Sequence, residues 1–411
     1  MAVWVLLVGA AFLIGDALRR AGLATEDELP PLHARFRVLT WQILPAACVA
    51  AAAVALLPRA ARRLRWRPLL LASWGAATLW TVVLALSDGL DSLPRPLDAP
   101  TEYPAGLDAV RADPLGWLRT FTEELHGYTT HVRGHPPLPT LVLWALEETG
   151  LRGTGWSAAL IIALGTSSVV AIALTVRSVA DEEAARRALP FLVLAPLTLW
   201  IATSMDALFL GVGAWAAALT ARRGSLPAAA AAGLLLGALP YLSYGLLPLF
   251  AIPLAVVALT RPGRRFLAVL LCCAAVVPLA FTLGGFWWFD GVAATHETYA
   301  VSRGSARRSY AYFAFANIAV LALLVGPATA HALPGTLSRD RPTGWLVGAA
   351  LVGVAALDLS GVTRGEVERI WIPYAAWIVL AAARHAPPAR GWLAAQAAVT
   401  LGVQALVLSH W

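Results

Sequence analysis

The feature that most limits what this chain can fold into is the recurrence of long apolar windows, each closed by arginine. A helix needs about 20 consecutive apolar residues to cross the hydrocarbon core of a bilayer. In that medium only structures that satisfy their own backbone polar groups survive, and a helix does so within one segment. Across the 411 residues, 59% are hydrophobic and 13% charged. A soluble domain carries about 25% charged residues. These observations exclude a soluble globular domain and predict an all-α polytopic transmembrane bundle. All 31 basic residues are arginine, and the net charge is +7. The positive-inside rule accounts for that excess without any nucleic-acid partner.

The apolar runs fall at 3–18, 38–57, 68–87, 156–176, 189–203, 207–221, 226–242, 245–260, 266–285, 311–330, 345–359, 371–383 and 392–409. They predict about thirteen spans with the N-terminus in the cytoplasm. Arg59, Arg62, Arg63, Arg65 and Arg67 form the strongest basic block, which orients the 68–87 span outward. Residues 138–149 are apolar but too short to cross, and they read as a half-helix dipping in from the outer face. Three parts follow: an N-terminal hairpin and basic loop at 1–67, a core at 68–260 containing an extracytoplasmic loop at 88–136, and C-terminal helices at 261–411 with outer loops at 286–310 and 360–370. The first helix lacks a basic leader and a small-residue cleavage site, so it reads as retained. Cys48, Cys272 and Cys273 lie in apolar runs and read as small core residues. Gly233 and Gly237 form a Gly-x-x-x-Gly pair suited to close helix packing.

The predicted outer face gathers the polar chemistry. The first loop carries Asp88, Asp91, His131, Arg133 and His135, and Asp206 stands alone between two apolar runs. Tyr244 ends a hairpin, and the second loop adds Trp287, Trp288, Asp290, Arg303, Arg307 and Arg308. The third adds Arg364, Glu366, Glu368 and Arg369. Arginines on this side run against the positive-inside expectation and suit an anionic ligand, although the third loop could also satisfy its own charges. A partly desolvated carboxylate at the rim, such as Asp88, can serve as a general base, or it can simply close a helix. His131, Arg133 and His135 alternate, so an extended segment would point all three one way. Pro136-Pro137 then starts the half-helix, whose N-terminus favours an anion. Asp113 is placed to cap a short interfacial helix over 114–126. Trp287 and Trp288 fit an interfacial aromatic belt or a sugar-stacking platform. His131 and His135 lack an obvious third ligand, so no metal site is assigned.

An acid after an early helix, an outer loop with a short interfacial helix, a His135-Pro136-Pro137-Leu138 motif and a later acid at Asp206 resemble the GT-C class of polytopic glycosyltransferases. Protein O-mannosyltransferases and aminoarabinose transferases are similar in layout over roughly residues 68–210. Segments such as 285–290 and 365–369 resemble those of actinobacterial integral membrane proteins. The resemblance implies transfer of a sugar from a polyprenyl-phosphate donor to an extracytoplasmic glycan, lipid or protein acceptor. It implies a catalytic role for Asp88, Asp91 and Asp206, with Asp88 as the base and Arg133 and His135 near the lipid phosphate. Sugar and phosphate contacts would come from the remaining outer-face residues, from His131 and Tyr244 to Arg369. No cofactor is required, and a divalent cation stays open. Two departures stand out: Gly89 follows Asp88 where relatives carry a second acid, and the motif has no lysine. The rival expectation is a transporter or flippase of an anionic lipid-linked envelope precursor, which would need broken helices and charges at mid-membrane.

Overall fold

In the computed structural model the chain is nearly all helical. The structure describes residues 1–23, 25, 27–301 and 308–410. Arg303 and Arg307 lie outside the described residues. Among those described, seven helices are long and apolar enough to cross a membrane: Ala2–Arg20, Trp41–Arg63, Trp66–Leu86, Thr154–Val179, Arg264–Leu283, Tyr310–Arg339 and Arg341–Ser360. Met205–Thr220, Leu226–Leu242, Tyr244–Thr260 and Ile372–Arg384 are apolar but shorter. Leu138–Glu148 has 11 residues, or about 16 Å of helix, half of what a crossing needs.

Close approach organises the bundle. Thr154–Val179 packs on Met205–Thr220 where a Cβ added at Gly211 would stand 2.5 Å from the Leu164 carbonyl oxygen. Gly233 and Gly237 bring Leu226–Leu242 against Arg264–Ala274; a Cβ at either would stand 2.3 Å from a backbone oxygen of that helix. The first helix lies on Tyr310–Arg339, held by Trp4 Nε1 donating to Ala322 O at 2.8 Å and Tyr312 Oη donating to Ala11 O at 3.0 Å. Trp80, Trp200, Trp371 and Trp377 fill the centre. Val3, Leu6, Leu13 and Ile14 face outward, as expected where the solvent is itself apolar. Cys48 and Cys272 are likewise exposed, so they face the surroundings and are not core residues. An apolar run in such a bundle does not say which face looks inward.

Proline reshapes two expected spans, and a strand ends a third. The run 189–203 divides into Glu182–Val193 and a 3-10 segment, Pro196–Trp200, because Pro196 cannot donate to a continuing helix. Tyr310–Arg339 is broken at Gly326, which has φ 75° and precedes Pro327. Gln396 repairs that break: its Nε2 donates to Val325 O at 2.8 Å, and its Oε1 accepts from Ala328 N at 3.2 Å. The C-terminal run ends as Arg390–Leu406 followed by a strand, Val407–Ser409. That strand pairs antiparallel with Ala34–Phe36, with Arg35 opposite Leu408. Three-residue strands leave too short an alternation to be read from sequence.

Candidate functional site

The structure sorts the predicted polar residues into two neighbouring groups at one end of the bundle. The first surrounds Asp88, just past the C-terminus of Trp66–Leu86. The strand pair carries Arg35, Arg37 and His410 to it, and the loop at 88–136 contributes Ser92 and Arg95. Together with Gln404 and an apolar wall that includes Pro96, Leu199, Trp200 and Val403, they line a cavity of about 500 Å³. Asp88 Oδ1 stands 2.5 Å from Arg37 Nη1 and accepts from Gln404 Nε2 at 3.2 Å. The side chains of both Asp88 and Arg37 are 17% exposed. Oδ2 has no partner among the described residues. Arg95 reaches Asp91 across 3.4 Å, with both side chains well exposed. Burial, with the His33 and Arg35 charges, lowers the His410 pKa. The cavity therefore presents three guanidiniums against one carboxylate, an arrangement suited to a doubly charged anion.

The second group is a buried ion network. Arg369 is 6% exposed; it donates to Asp206 Oδ2 at 2.9 Å, to Glu366 Oε2 at 2.9 Å and to His131 Nε2 at 3.1 Å. With Nε2 accepting, the ring proton of His131 sits on Nδ1, 2.9 Å from Glu102 Oε1. Glu366 also accepts from Arg308 at 2.8 Å, and Arg308 donates to Asp27 at 3.0 Å. Asp27 meets His33 Nδ1 at 2.6 Å, and the His33 N–H donates to the fully buried Glu368 at 3.0 Å. The third loop satisfies itself only in part, through Glu366 and Arg369; its other contacts tie together the N-terminal connection, the loop at 88–136 and the start of Met205–Thr220. Glu366 sits at φ 58°, a conformation costly for a non-glycine residue. Asn317 holds the approach to it by donating to Asp358 Oδ1 and Thr363 O, both at 2.9 Å. Burial opposes charge on Asp27 and on His33 alike. The hydrogen bond between them and the neighbouring opposite charges together outweigh it, holding Asp27 below the usual carboxylate range and His33 above the usual imidazole range. Arg308 adds to the effect on Asp27, and Glu366 adds to that on His33.

The extended segment expected at 131–135 is a helical turn, Thr130–Arg133. Its residues i and i+2 do not share a face. His131 is buried in the network, while Arg133 is only half-buried and pairs with no acid among the described residues. His135 Nδ1 donates to His131 O at 3.0 Å, and the ring packs on Tyr103 and Phe209. Burial brings its imidazole down to about 4, against the pull of the Asp206 charge. The neighbouring helix starts as expected, with Asp113 accepting from Gly116 N at 2.9 Å, but it runs only over Pro114–Thr120. Arg111 clamps Glu147 through two 2.8 Å contacts and so fixes the half-helix to this loop.

The remaining predicted residues lie around these groups. Trp288 Nε1 donates to Pro240 O at 2.9 Å and its ring stands edge-on to Tyr244. Trp287 is 49% exposed, and Asp290 is exposed on the helix Trp288–Val301. Arg364 donates to Gly361 O at 3.1 Å beside the Tyr310 ring. None of these, and none of the Arg369 network, lines the Asp88 cavity. Asp88 and His135 thus belong to separate sites, not to one shared pocket. The partition is the segment 200–206: Trp200 and Ala202 face the cavity, while Ser204 Oγ donates to Asp206 Oδ2 at 3.1 Å. On the network's other flank the His33 and His410 rings touch, 4.4 Å between centroids. Among the described residues no group of three or more His, Cys, Asp and Glu side chains could hold a metal ion.

Sequence reading passed over Arg35, Arg37, Arg95, Gln404 and His410 as site residues. A signal exists for Arg35, Arg37 and Arg95, which are arginines on the predicted outer side, like those of the second and third loops. The chain matches no protein-family model, no curated protein and no solved structure.

Proposed function

We propose that this chain is an integral membrane glycosyltransferase that works at the Asp88 cavity. It moves a sugar from a polyprenyl-phosphate donor to an extracytoplasmic acceptor. The observation that carries the reading is one carboxylate, with an open oxygen, set among three arginines and an apolar wall at a helix end. The apolar wall suits the first units of a polyprenyl chain, and the guanidiniums suit the phosphate. Incoming phosphate competes with Asp88 for Arg37 and so releases the carboxylate. Asp88 then takes the proton of the acceptor hydroxyl as that oxygen attacks the anomeric carbon. The bond from that carbon to the phosphate oxygen breaks, and polyprenyl phosphate leaves with its charge met by Arg35, Arg37 and Arg95. A single displacement inverts the anomeric centre.

In this reading the phosphate-binding role passes from Arg133 and His135 to the cavity arginines. Asp206, Arg369 and Glu366 become the frame that holds the cavity's rear wall. The Asp88 end faces outward and the Arg59–Arg67 block faces the cytoplasm. The four shorter apolar helices, with the 182–200 segment and Arg390–Leu406, bring the seven long ones to about thirteen crossings.

The test is transfer of labelled sugar from polyprenyl-phosphate donors in membranes. Asp88→Asn lowers the rate by about 10²- to 10⁴-fold, the range for losing a general base. Full activity in that variant removes Asp88 from the role.

One observation favours a flippase instead: the break at Gly326 resembles the discontinuous helices of transporters. In transporters the freed backbone groups coordinate substrate. Here Gln396 occupies them, which favours the transferase. Movement of a lipid-linked precursor across vesicles without covalent change would reverse that preference.

A further inference from the structure

A second cavity, of about 360 Å³, opens at the opposite end of the bundle. Leu64 on its wall and Asp88 in the first cavity bracket the 21-residue helix Trp66–Leu86. That length is about 30 Å, the thickness of a bilayer's hydrocarbon core. The two cavities therefore sit at opposite membrane faces. The volume lies in the range of about 300–1,000 Å³ typical of small-ligand sites.

Its walls come from three helix ends. Pro58, Ala61 and Leu64 close Trp41–Arg63, Pro190 and Phe191 belong to Glu182–Val193, and Leu393 belongs to Arg390–Leu406. The charged lining is Arg62, Arg186 and Arg187 against Glu183. These cations are not equivalent. Arg186 donates to the Ala61 and Leu64 carbonyls at 2.8 and 3.0 Å and pairs with Glu182 at 2.7 Å, so it caps a helix. Among the described residues Arg187 pairs only with the largely exposed Glu183, at 2.9 Å, and its buried Nε has no partner. Arg62 is exposed and has no ion-pair partner among the described residues. His385 Nε2 donates to Ala328 O at 2.9 Å, and its ring stacks on Trp392. Burial lowers its pKa, so the charge here is the arginines' own. Arg59, Arg63, Arg65 and Arg67 surround this end of the helix in the chain and add to its positive field.

We infer that this cleft is a binding site for the phosphodiester head group of an anionic membrane phospholipid. Arg62 and Arg187 contact the phosphate, and the proline, leucine and phenylalanine wall meets the glycerol and the first acyl carbons. Basic clefts between helices on the cytoplasmic side suit such head groups. The site does not depend on what the Asp88 cavity does.

The experiment titrates full-length protein in neutral detergent with dioleoyl phosphatidylglycerol, dioleoyl phosphatidylcholine and glycerol 3-phosphate, reading bound ligand by native mass spectrometry. Phosphatidylglycerol binds in preference to the other two. Arg62→Gln weakens it by about fivefold, the factor for roughly 1 kcal/mol per interfacial cation. Because Arg62 is exposed and unpaired, that variant keeps the fold. Glu183→Gln, which removes the opposing carboxylate, tightens binding. Unchanged phosphatidylglycerol affinity in Arg62→Gln overturns the proposal, as does weaker binding in Glu183→Gln. Glycerol 3-phosphate binding as tightly as the lipid overturns it in favour of a soluble phosphate ester.

Discussion

Replacing Arg369 by Met tests whether the buried network is the frame of the site. Arg369 serves two carboxylates, Asp206 and Glu366, each at 2.9 Å. Loss of its charge affects them differently. Glu366 keeps Arg308 at 2.8 Å, whereas Asp206, its side chain 5% exposed, keeps among the described residues only the Ser204 hydroxyl at 3.1 Å. One uncompensated buried carboxylate costs about 3–5 kcal/mol. Asp206→Asn is the milder change, since Arg369 retains Glu366 and the new amide still offers an acceptor. It costs about 1–3 kcal/mol, the range for one disturbed buried hydrogen bond. Pairing Arg369→Met with Asp206→Asn removes both charges together and recovers part of the loss, giving a coupling of about 1–3 kcal/mol in a double-mutant cycle. The assay is reversible unfolding of the purified protein with denaturing detergent, followed by tryptophan fluorescence. Equal costs below about 1 kcal/mol for both single variants would mean that water screens this pair as it does a surface one, and the frame argument would fail.

Three further outcomes follow from the same geometry. His33 is held above its ordinary value of 6.5, so its contribution to stability is complete below that pH and fades as pH rises through the folded value. Asp27 is held below its ordinary 3.8, so its contribution is present above that pH and fades as pH falls through the folded value. Resistance to unfolding from this pair therefore peaks between those two ordinary values, and His33→Gln flattens the decline on the alkaline side; an unaltered pH profile in that variant contradicts the assignment. Gly326→Ala places a Cβ 2.1 Å from Gln396 Oε1 at a φ of 75°, which costs about 1–3 kcal/mol from backbone strain alone and is read as a lower unfolding midpoint. Arg37→Gln weakens binding of polyprenyl phosphate, because the cavity loses the guanidinium beside Asp88; a charge-assisted contact of that kind contributes about 1.5–3 kcal/mol, and unchanged retention on a polyprenyl-phosphate resin contradicts it.

Much of the helical layout is legible in hydropathy alone. The runs 226–242 and 207–221 fall within two residues of Leu226–Leu242 and Met205–Thr220, because lipid-facing and core-facing residues are both apolar there. The same degeneracy hides orientation, and Cys48 and Cys272 look outward for that reason. Prolines at 196 and 327 mark where helices divide, and the pattern of apolar residues is blind to them. Individual polar residues were legible, but their grouping was not. Asp88 and His135 are 47 positions apart along one loop, yet they fall on either side of the 200–206 segment. Arg37 and His410, at opposite ends of the chain, flank the same cavity because two three-residue strands pair. Such long-range pairing leaves no local signal. The turn at 130–133 shows the converse error, where alternation read as an extended strand is overruled by packing on Tyr103 and Arg369.

The most direct measurement is a cryo-electron microscopy map of the protein with polyprenyl phosphate bound. The account predicts phosphate density among Arg35, Arg37 and Arg95, with the Asp88 carboxylate turned away from Arg37 and facing open space. Phosphate density beside Arg133 and His135, with the Asp88–Arg37 pair intact and its cavity vacant, would contradict it.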